Sequence, residues 1–351
     1  MKNIKHLIKP IILVLFLIIP ISCSKEHSTQ PAPAPTPTYN NQELNDAFTL
    51  AGTFTGLKSL VVSQNGIIIK EVYFGSGGAD VPHDVRSVTK TVTSLLVGIA
   101  VREGYIHSVD ETLGEISTAV PADKANIKIH DLLTMSGGFS WNELSSISEY
   151  NNWIYSPNQV NYILNRALAF QPGQVFTYNS AALHLLSAGI TLTSNMSTLE
   201  FARKYLFNDM GISISYWEQD RQGIYNGAAG LNISPHDMVK IGNLILNRGM
   251  YNGKQIVPAE WIDQATQTQI STNNSQPYGP GYGYGIWVGQ NNKGNYAWAN
   301  GFGGQFIVIV PSRKLVIVAT NEWSSVSGDI ANSRWSNTIN MIINNVLNAF
   351  D

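Results

Sequence analysis

Strand-like segments lie near both ends of this sequence, and helix-like segments fill the stretch between them. Near the N-terminal end, Ser59 to Ser63 and Ile67 to Tyr73 are β-branched runs joined by Asn65-Gly66, which predicts a β-hairpin. Further short apolar runs follow toward the C-terminus, at 284–288, 296–300, 305–310 and 315–321. A single sheet must therefore be assembled from sequence-distant halves, with a mainly helical region inserted, and the predicted fold class is α+β.

Three helices are predicted most clearly by apolar spacing and capping residues. From Ser87 onward, apolar residues recur at three-to-four spacing as far as Gly104, which indicates a largely buried helix. Ser234 and Pro235 form an N-cap and first-turn pair for a helix that runs to Gly249. One apolar face predicts a C-terminal helix through Trp335, Ile339, Ile342, Val346 and Phe350. Shorter helices are predicted in the middle, at 131–135, 158–168, 181–192 and 199–207.

Composition excludes several function classes. The 351 residues are 44% hydrophobic and 13% charged, a globular composition long enough for one large domain or two lobes. The formal charge is −2, with no basic block outside the extreme N-terminus, so a nucleic-acid partner is not expected. Cys23 is the only cysteine and no H-E-x-x-H motif occurs, so we expect no internal disulfide, no metal site and no cofactor.

The N-terminus has the pattern of an export signal. Three lysines precede the apolar run from Ile11 to Ile19, which is too short for a membrane helix of about 20 residues. Cys23 follows at a place that resembles the lipobox of bacterial lipoproteins, so we expect its acylation and a lipid-anchored protein of the cell envelope, with no other membrane contact. The predicted organisation is a signal peptide at 1–22, a proline-rich tether at 23–44 and a globular domain at 45–351. Within that domain we expect a sheet lobe at about 45–120 and 225–351 and a helical lobe at about 121–224.

Ser87 and Lys90 form an S-x-x-K tetrad at the start of the first long helix. Residues three apart lie on the same helical face, so the Lys90 amine can lie beside the Ser87 hydroxyl. The helix N-terminus adds partial positive charge, and burial would lower the pKa of the lysine enough for it to act as a base. The tetrad alone is weak evidence for an active site, because Ser22 to Lys25 has the same pattern. An isolated copy is explained more simply by a helix-capping serine and a lysine whose stem lies along the protein surface.

Two later segments favour an active site. Phe176 to Ser180 (FTYNS) places a tyrosine at the start of an apolar helix, and Ala299 to Gly304 (ANGFGG) puts glycines between two strands, where a backbone can approach a ligand closely. A G-x-S-x-G elbow is absent, so a Ser-His-Asp hydrolase fits poorly, and His130 and His184 are interpreted as structural. Trp141, Tyr150 and Trp153 belong equally well to the core or to a substrate cleft.

Taken together, residues 45 to 350 resemble the serine β-lactamase-related hydrolases, which include class C β-lactamases, D-peptidases and related esterases. The resemblance is carried in order by RSVTK, DLLTMSGGFSW, TYNS, GAAGLNISPHDMVKIG, NGKQIVPAEW and GFGGQFIVIVP. The SGGFSW and GFGGQ stretches are similar to the branch that includes 6-aminohexanoate-dimer hydrolase. The resemblance implies a β-lactamase/transpeptidase-like fold, with an antiparallel sheet flanked by helices and an inserted helical lobe.

The resemblance also implies roles for three side chains. Ser87 would be the acylated nucleophile, and Lys90 its proton acceptor or electrostatic partner. Tyr178 would be the general acid and base that protonates the leaving group and later activates water. No cofactor is implied.

The same resemblance implies a binding surface around these groups. The backbone N–H groups of Ser87 and Phe302, the latter following Gly301, would form the oxyanion hole, with Asn300 beside them. Ser180 stands at the third place of the family's Tyr-x-Asn motif, where its hydroxyl would hydrogen-bond Lys90 or substrate.

Two departures from the family pattern bear on the substrate. Ala299 replaces the Lys or His that usually opens the third motif and grips a substrate carboxylate, and Ser180 replaces asparagine. We therefore expect a small-molecule or short-peptide ester or amide without a required carboxylate as substrate, and weak or no β-lactamase activity. The alternatives are a slowly acylating or non-catalytic penicillin-binding-like sensor lipoprotein and a plain interaction module of the cell envelope.

Overall fold

The computed structural model describes residues 38–276, 279–291 and 294–350, and an eight-stranded antiparallel sheet organises that part of the chain. Its spatial order is β2-β1-β12-β11-β10-β9-β8-β7, and two short two-stranded pairs, β3-β4 and β5-β6, accompany it. The strands are β1 Leu57–Gln64, β2 Ile67–Tyr73, β3 His83–Asp84, β4 Asn232–Ile233, β5 Met250–Tyr251, β6 Lys254–Gln255, β7 Ile270–Gln276, β8 Gly279–Tyr282, β9 Trp287–Asn291, β10 Gly294–Gly301, β11 Gln305–Val310 and β12 Leu315–Asn321.

The sheet joins the two ends of the chain, as predicted. Strand β1 pairs with β12, with Val61 opposite Val318, and β2 continues the sheet through the Asn65-Gly66 turn. Both turn residues have positive φ (54° and 80°), the backbone of a type I′ hairpin turn. The predicted strands 305–310 and 315–321 match β11 and β12 residue for residue.

Most helices lie between β2 and β7 in the chain, one precedes β1 and one follows β12, and they cover the sheet. They are α1 Asn41–Ala51, α2 Thr89–Arg102, α3 Leu113–Ile116, α4 Ile129–Leu133, α5 Ile147–Ile154, α6 Gln159–Leu164, α7 Ser180–Ser194, α8 Thr198–Ala202, α9 Asn208–Met210, α10 Pro235–Leu246, α11 Ala259–Ala265 and α12 Gly328–Met341. A π-helical turn continues α8 through 203–207, and π and 3₁₀ turns carry the last helix to 350. No helix in the described part of the chain is both long and apolar enough to cross a bilayer.

Helices pack tightly onto the strands that position the site. Strands β11 and β12 are buried along their whole length, and α10 lies so close to β12 that a β-carbon on Gly242 would stand 2.4 Å from Val316. On α12, Trp335 packs against Trp298 of β10 and Phe306 of β11. Helix α2 is buried from Thr89 to Ala100, so its first turn is held rigidly inside the protein.

Some boundaries differ from the sequence-based predictions. Asn40 caps α1 by accepting hydrogen bonds from the backbone N–H groups of residues 42 and 43, and Leu44 is buried, so the helix begins three residues before the end of the expected tether. The helix opened by Ser234 ends at Leu246 rather than Gly249. The signal segment 1–22, Cys23 and the rest of the tether to residue 37 lie outside the described residues.

The predicted strand 284–288 is wrong in its first half. Residues 283–286 form a turn, and β9 begins at Trp287. Gly285 has a φ of +67°, its N–H donates to the Leu133 carbonyl, and its own carbonyl accepts from the Thr91 hydroxyl at 2.8 Å. A β-carbon there would stand 2.8 Å from the Lys90 carbonyl, so this glycine turn is docked directly on α2.

Candidate active site

Ser87 and Lys90 lie at the junction between the short strand β3 and helix α2. The N–H of Val85 donates to the Leu231 carbonyl, which fixes the chain just before a 3₁₀ turn at Arg86–Val88 that leads into α2. Lys90 Nζ lies 2.8 Å from Ser87 Oγ and donates to the Ala228 carbonyl at 3.0 Å. The structure therefore brings together the serine and lysine that the tetrad predicts.

The environment of Lys90 favours the neutral amine. Its side chain is buried, with 1% of the residue exposed, and this burial lowers the pKa of the ammonium to about 7. The negative charge of Glu143 acts in the opposite direction, and the positive charge of Arg86 lowers the pKa further. A substantial fraction of neutral lysine at neutral pH follows from this arrangement.

Tyr178 completes the arrangement from the loop that precedes α7. Asn179 caps α7 by accepting from the N–H of Ala182 at 2.8 Å, which fixes the backbone next to the tyrosine. The Tyr178 ring lies 4.9 Å from Lys90 Nζ, and Ser87 is close enough to the Tyr178 hydroxyl to lower the pKa of the phenol. Burial and the charge of Glu143 raise the pKa of the phenol well above its ordinary value, against smaller opposing effects, so it remains protonated at neutral pH.

The glycine-rich segment 301–304, at the end of β10, lies close to the turn that carries Ser87. A β-carbon on Gly301 would stand 2.3 Å from the Val85 carbonyl oxygen, so only glycine allows this approach. The next residue, Phe302, lines the cleft beside Ser87 with 38% of its surface exposed. Asn300 also lines the cleft, and its Oδ1 accepts from Trp335 Nε1 at 2.5 Å. The segment thus lines the same cleft as Ser87, and its assignment to the oxyanion hole stays a prediction.

Ser180 does not lie where the sequence suggested. It is fully buried, its hydroxyl donates to Glu143 Oε1 at 2.6 Å, and its backbone N–H donates to Glu143 Oε2 at 2.8 Å. Trp141 Nε1 donates to the same carboxylate at 3.1 Å. Since the Ser180 hydroxyl is directed to Glu143, the expected contact with Lys90 is replaced by the Ala228 carbonyl, and Glu143 rather than Ser180 lines the cleft.

Sequence reasoning missed Glu143 because no motif spacing marks it. It follows the SGGFSW stretch by two residues, and only the fold places that loop beside Tyr178. Arg86 was also overlooked, although it immediately precedes Ser87 in the sequence. Both charged side chains line the cleft.

The cleft in front of Ser87 has a volume of about 960 Å³, and seven aromatic residues contribute to its wall. Of the three aromatic residues that the sequence assigns equally well to core or cleft, Tyr150 lines the cleft and Trp153 is fully buried in the core. Trp141 does not line the cleft and donates a hydrogen bond to Glu143. Exposed apolar side chains of Leu144, Ile147 and Tyr155 stand on one side of its mouth. The charged residues that line it are Arg86, Glu143, Glu218 and Asp329. The cleft has room for a small ester or amide with an apolar group.

The third-motif position carries no charge. Ala299 is 1% exposed within β10, opposite Ile307 of β11, and is not among the residues that line the cleft. Within the described residues, no group of three or more His, Cys, Asp and Glu side chains is arranged to hold a metal ion.

The two histidines interpreted as structural lie outside the cleft. His184 is fully buried in α7, with Nε2 3.3 Å from Asp220 Oδ2. His130 packs edge-on against Tyr284 at 5.7 Å.

The chain is similar to known proteins over most of its length. The family model described as Beta-lactamase matches residues 55–335. The 6-aminohexanoate-dimer hydrolase of Paenarthrobacter ureafaciens is 22% identical over 291 residues, which cover 76% of this chain and 72% of that protein.

Solved structures show the same fold. A Bacillus anthracis protein provisionally assigned as a 6-aminohexanoate-dimer hydrolase superposes with a TM-score of 0.71 at 21% identity, covering 87% of this chain and 81% of its own. EstCE1, a hydrolase with promiscuous acyltransferase activity, gives a TM-score of 0.66 at 15% identity, covering 85% and 97%. The β-lactamase/transpeptidase-like fold expected from the sequence is therefore confirmed.

Proposed function

The chain belongs to the β-lactamase family of acylating serine hydrolases, and we propose that it cleaves an ester or amide through a covalent acyl-enzyme formed on Ser87. The observation that carries the proposal is the buried Lys90 amine, 2.8 Å from the Ser87 hydroxyl and with a pKa of about 7. A nearby neutral amine is what a serine needs in order to lose its proton during attack.

Acylation begins when the Ser87 hydroxyl proton moves to the neutral amine of Lys90 as Oγ bonds to the substrate carbonyl carbon. The carbonyl oxygen becomes an oxyanion, which the backbone N–H groups of Ser87 and Phe302 stabilise. The bond to the leaving group then breaks, and Tyr178 supplies the proton that the leaving group needs. Because burial makes the phenol hard to ionise, it has to recover a proton from the Lys90 ammonium as it gives its own away.

Deacylation follows the same path with water in place of the leaving group. Water loses a proton to the Tyr178 and Lys90 pair as its oxygen bonds to the acyl carbon. The ester bond to Ser87 breaks, and Ser87 Oγ regains its proton as the acid is released.

The substrate class follows from the wall of the cleft. Ala299 provides no cation to hold a carboxylate, while aromatic and aliphatic side chains provide an apolar surface. We therefore propose short or medium acyl esters, or amides with an apolar acyl group, as substrates, and only weak turnover of β-lactams. Comparable rates on nitrocefin and on a p-nitrophenyl ester would contradict this specificity.

The decisive experiment is covalent labelling of the protein lacking residues 1–23. A fluorophosphonate should label the wild type at a single site, and Ser87→Ala should abolish both labelling and hydrolysis of p-nitrophenyl butyrate. Ser94→Ala is the matched control, because Ser94 lies on the same helix, is 1% exposed and its hydroxyl lies outside the cleft. Labelling retained in Ser87→Ala would refute the proposal, and a single burst of product without turnover would favour the slowly acylating sensor.

We also propose that the protein is exported and anchored by a lipid on Cys23. The support is the sequence of residues 1–23 alone. Full-length protein expressed in a bacterial host should fractionate with membranes and incorporate labelled palmitate. Cys23→Ala should lose the label, and incorporation that persists in that variant would contradict the proposal.

A further inference from the structure

Arg86 is the single lysine or arginine among the described residues that line the cleft. It stands immediately before the nucleophile, with a φ of +49°, in the left-handed region that a residue with a side chain rarely adopts. Hydrogen bonds hold this conformation on both sides: its N–H donates to Asp84 Oδ1 at 2.8 Å, and its carbonyl accepts from the Thr89 hydroxyl at 2.6 Å. The chain thus directs this one side chain into a fixed position beside Ser87.

The guanidinium lies close to two aromatic rings. Its centre lies 4.3 Å from the ring of Trp323 and 5.7 Å from that of Tyr150. Nη2 donates to the Tyr150 hydroxyl at 3.2 Å, Nη1 lies 3.4 Å from Asp84 Oδ2, and Nε is buried without a hydrogen-bond partner among the described residues. These ring and polar contacts together hold the permanent charge of the guanidinium in place.

The charge of Arg86 acts on Lys90 and Tyr178, the two groups that exchange protons in the proposed reaction. The positive charge of Arg86 lowers the pKa of Lys90 and of Tyr178, whereas Glu143 raises both. The other ionisable groups around the guanidinium are Asp84, Glu218 and Tyr150. Burial raises the pKa of Glu218 above its ordinary value. Arg86 therefore opposes the one carboxylate that acts on the Lys90 and Tyr178 pair.

We propose that Arg86 is a positioning residue that supplies a fixed positive charge beside Ser87. The inference rests on the proposed function, because it concerns the charge state of Lys90 during acylation. Arg86 acts through Lys90 and Tyr178 and takes no proton itself, since its guanidinium stays charged throughout the working pH range.

The test is the pH dependence of kcat/KM on p-nitrophenyl butyrate, a neutral substrate that makes no ionic contact with either charge. Arg86→Met keeps an apolar stem near the two rings and removes the charge, so the acidic limb should move to higher pH by about 0.5 to 1 unit. Arg86→Lys keeps the charge and should leave the midpoint near that of the wild type. Arg86→Gln, which retains a donor for the Tyr150 hydroxyl, replaces Arg86→Met if the latter does not fold.

Glu143→Gln should shift the acidic limb of kcat/KM in the opposite direction. Removing this carboxylate should move the same limb to lower pH, and the double variant with Arg86→Met should return it toward the wild-type midpoint. An unmoved limb in Arg86→Met and Arg86→Gln, with activity reduced equally at every pH, would overturn the proposal and leave a packing role. If the proposed function itself is wrong, the wild-type protein will show no acylation of Ser87, and its pH profile of kcat/KM will have no acidic limb.

Discussion

Gly301 lies directly against Val85, so that a β-carbon on the glycine would stand 2.3 Å from the Val85 carbonyl oxygen. Val85 precedes the turn that carries Ser87, and Gly301 precedes Phe302. One close backbone contact therefore sets the spacing between the two N–H groups proposed to bind the oxyanion. The same contact explains why a strand from the C-terminal half and a helix from the N-terminal half build a single site.

Gly301→Ala should separate these two backbones. We expect kcat on p-nitrophenyl butyrate to fall about 100-fold, because a displaced donor no longer meets the oxyanion, and the free energy of unfolding to fall by about 1 to 3 kcal/mol. Gly189→Ala is the control, since a β-carbon at that helical glycine meets only Ile116, at 3.9 Å. It should leave kcat unchanged and keep or raise stability. Equal kcat in both variants would show that the contact does not position the site.

The pH dependence of acylation should report on Lys90. Only the neutral amine takes the Ser87 proton, and burial lowers the pKa of Lys90 to about 7, so kcat/KM should rise as pH increases through about 7. Rates of single-turnover acylation by p-nitrophenyl butyrate, measured between pH 5 and 9 in buffers of constant ionic strength, check this. A rate that is flat across this range would rule out Lys90 as the titrating base.

Burial of the same lysine should weaken the fold. The unfolded lysine titrates near its ordinary pKa of 10.5 and the folded one near 7, so between these values the unfolded state binds more protons and stability rises with pH. Lys90→Met removes this penalty, and we expect its free energy of unfolding at pH 7 to exceed the wild-type value by about 1 to 3 kcal/mol, with activity lost. The difference should narrow toward pH 10. Lys254→Met, at a surface ion pair with Asp209, should show neither effect.

Tyr178→Phe should distinguish good from poor leaving groups. p-Nitrophenolate departs without a proton, whereas an alkoxide or amine needs one, so the variant should lose about 100-fold or more on ethyl butyrate or an anilide and much less on p-nitrophenyl butyrate. Steady-state kcat/KM measured on p-nitrophenyl butyrate and on ethyl butyrate checks this prediction. The same loss on both substrates would mean that Tyr178 orients Ser87 without acting as the acid.

The sequence was sufficient for the parts of this site that local patterns encode. Spacing on one helix places Lys90 beside Ser87. A hairpin turn, an N-cap and apolar runs define β2, β11 and β12 to the residue and β1 and α10 to within three residues. The role of Ser180 was mistaken because its partner, Glu143, lies 37 residues away and meets it only through tertiary packing. The strand predicted from 284 failed for a related reason: contacts of Gly285 with Leu133 and Thr91 override the apolar run.

His184 and Asp220 form a second polar unit behind Lys90. Both side chains are fully buried, with His184 Nε2 3.3 Å from Asp220 Oδ2, and His184 Nδ1 accepts from the N–H of Gly227. The next residue, Ala228, provides the carbonyl that binds Lys90 Nζ. Although burial acts to raise the pKa of Asp220, hydrogen bonds from His184 and nearby backbone N–H groups hold it below its ordinary value. The pair thus supports the loop that orients the lysine.

His184→Leu should therefore reduce both stability and activity. It leaves the Asp220 carboxylate buried with only the backbone donors of Gln222 and Ile224, so urea unfolding should show a loss of about 2 to 4 kcal/mol. Because the Gly227 N–H also loses its acceptor, the Ala228 carbonyl should shift and lower kcat more than it raises KM. His236→Leu is the matched control, since that histidine pairs with Glu71 at the surface and should contribute less than about 1 kcal/mol. Equal destabilisation by the two substitutions would show that the buried pair contributes no more than an exposed one, and its proposed support of the Lys90 loop would then be wrong.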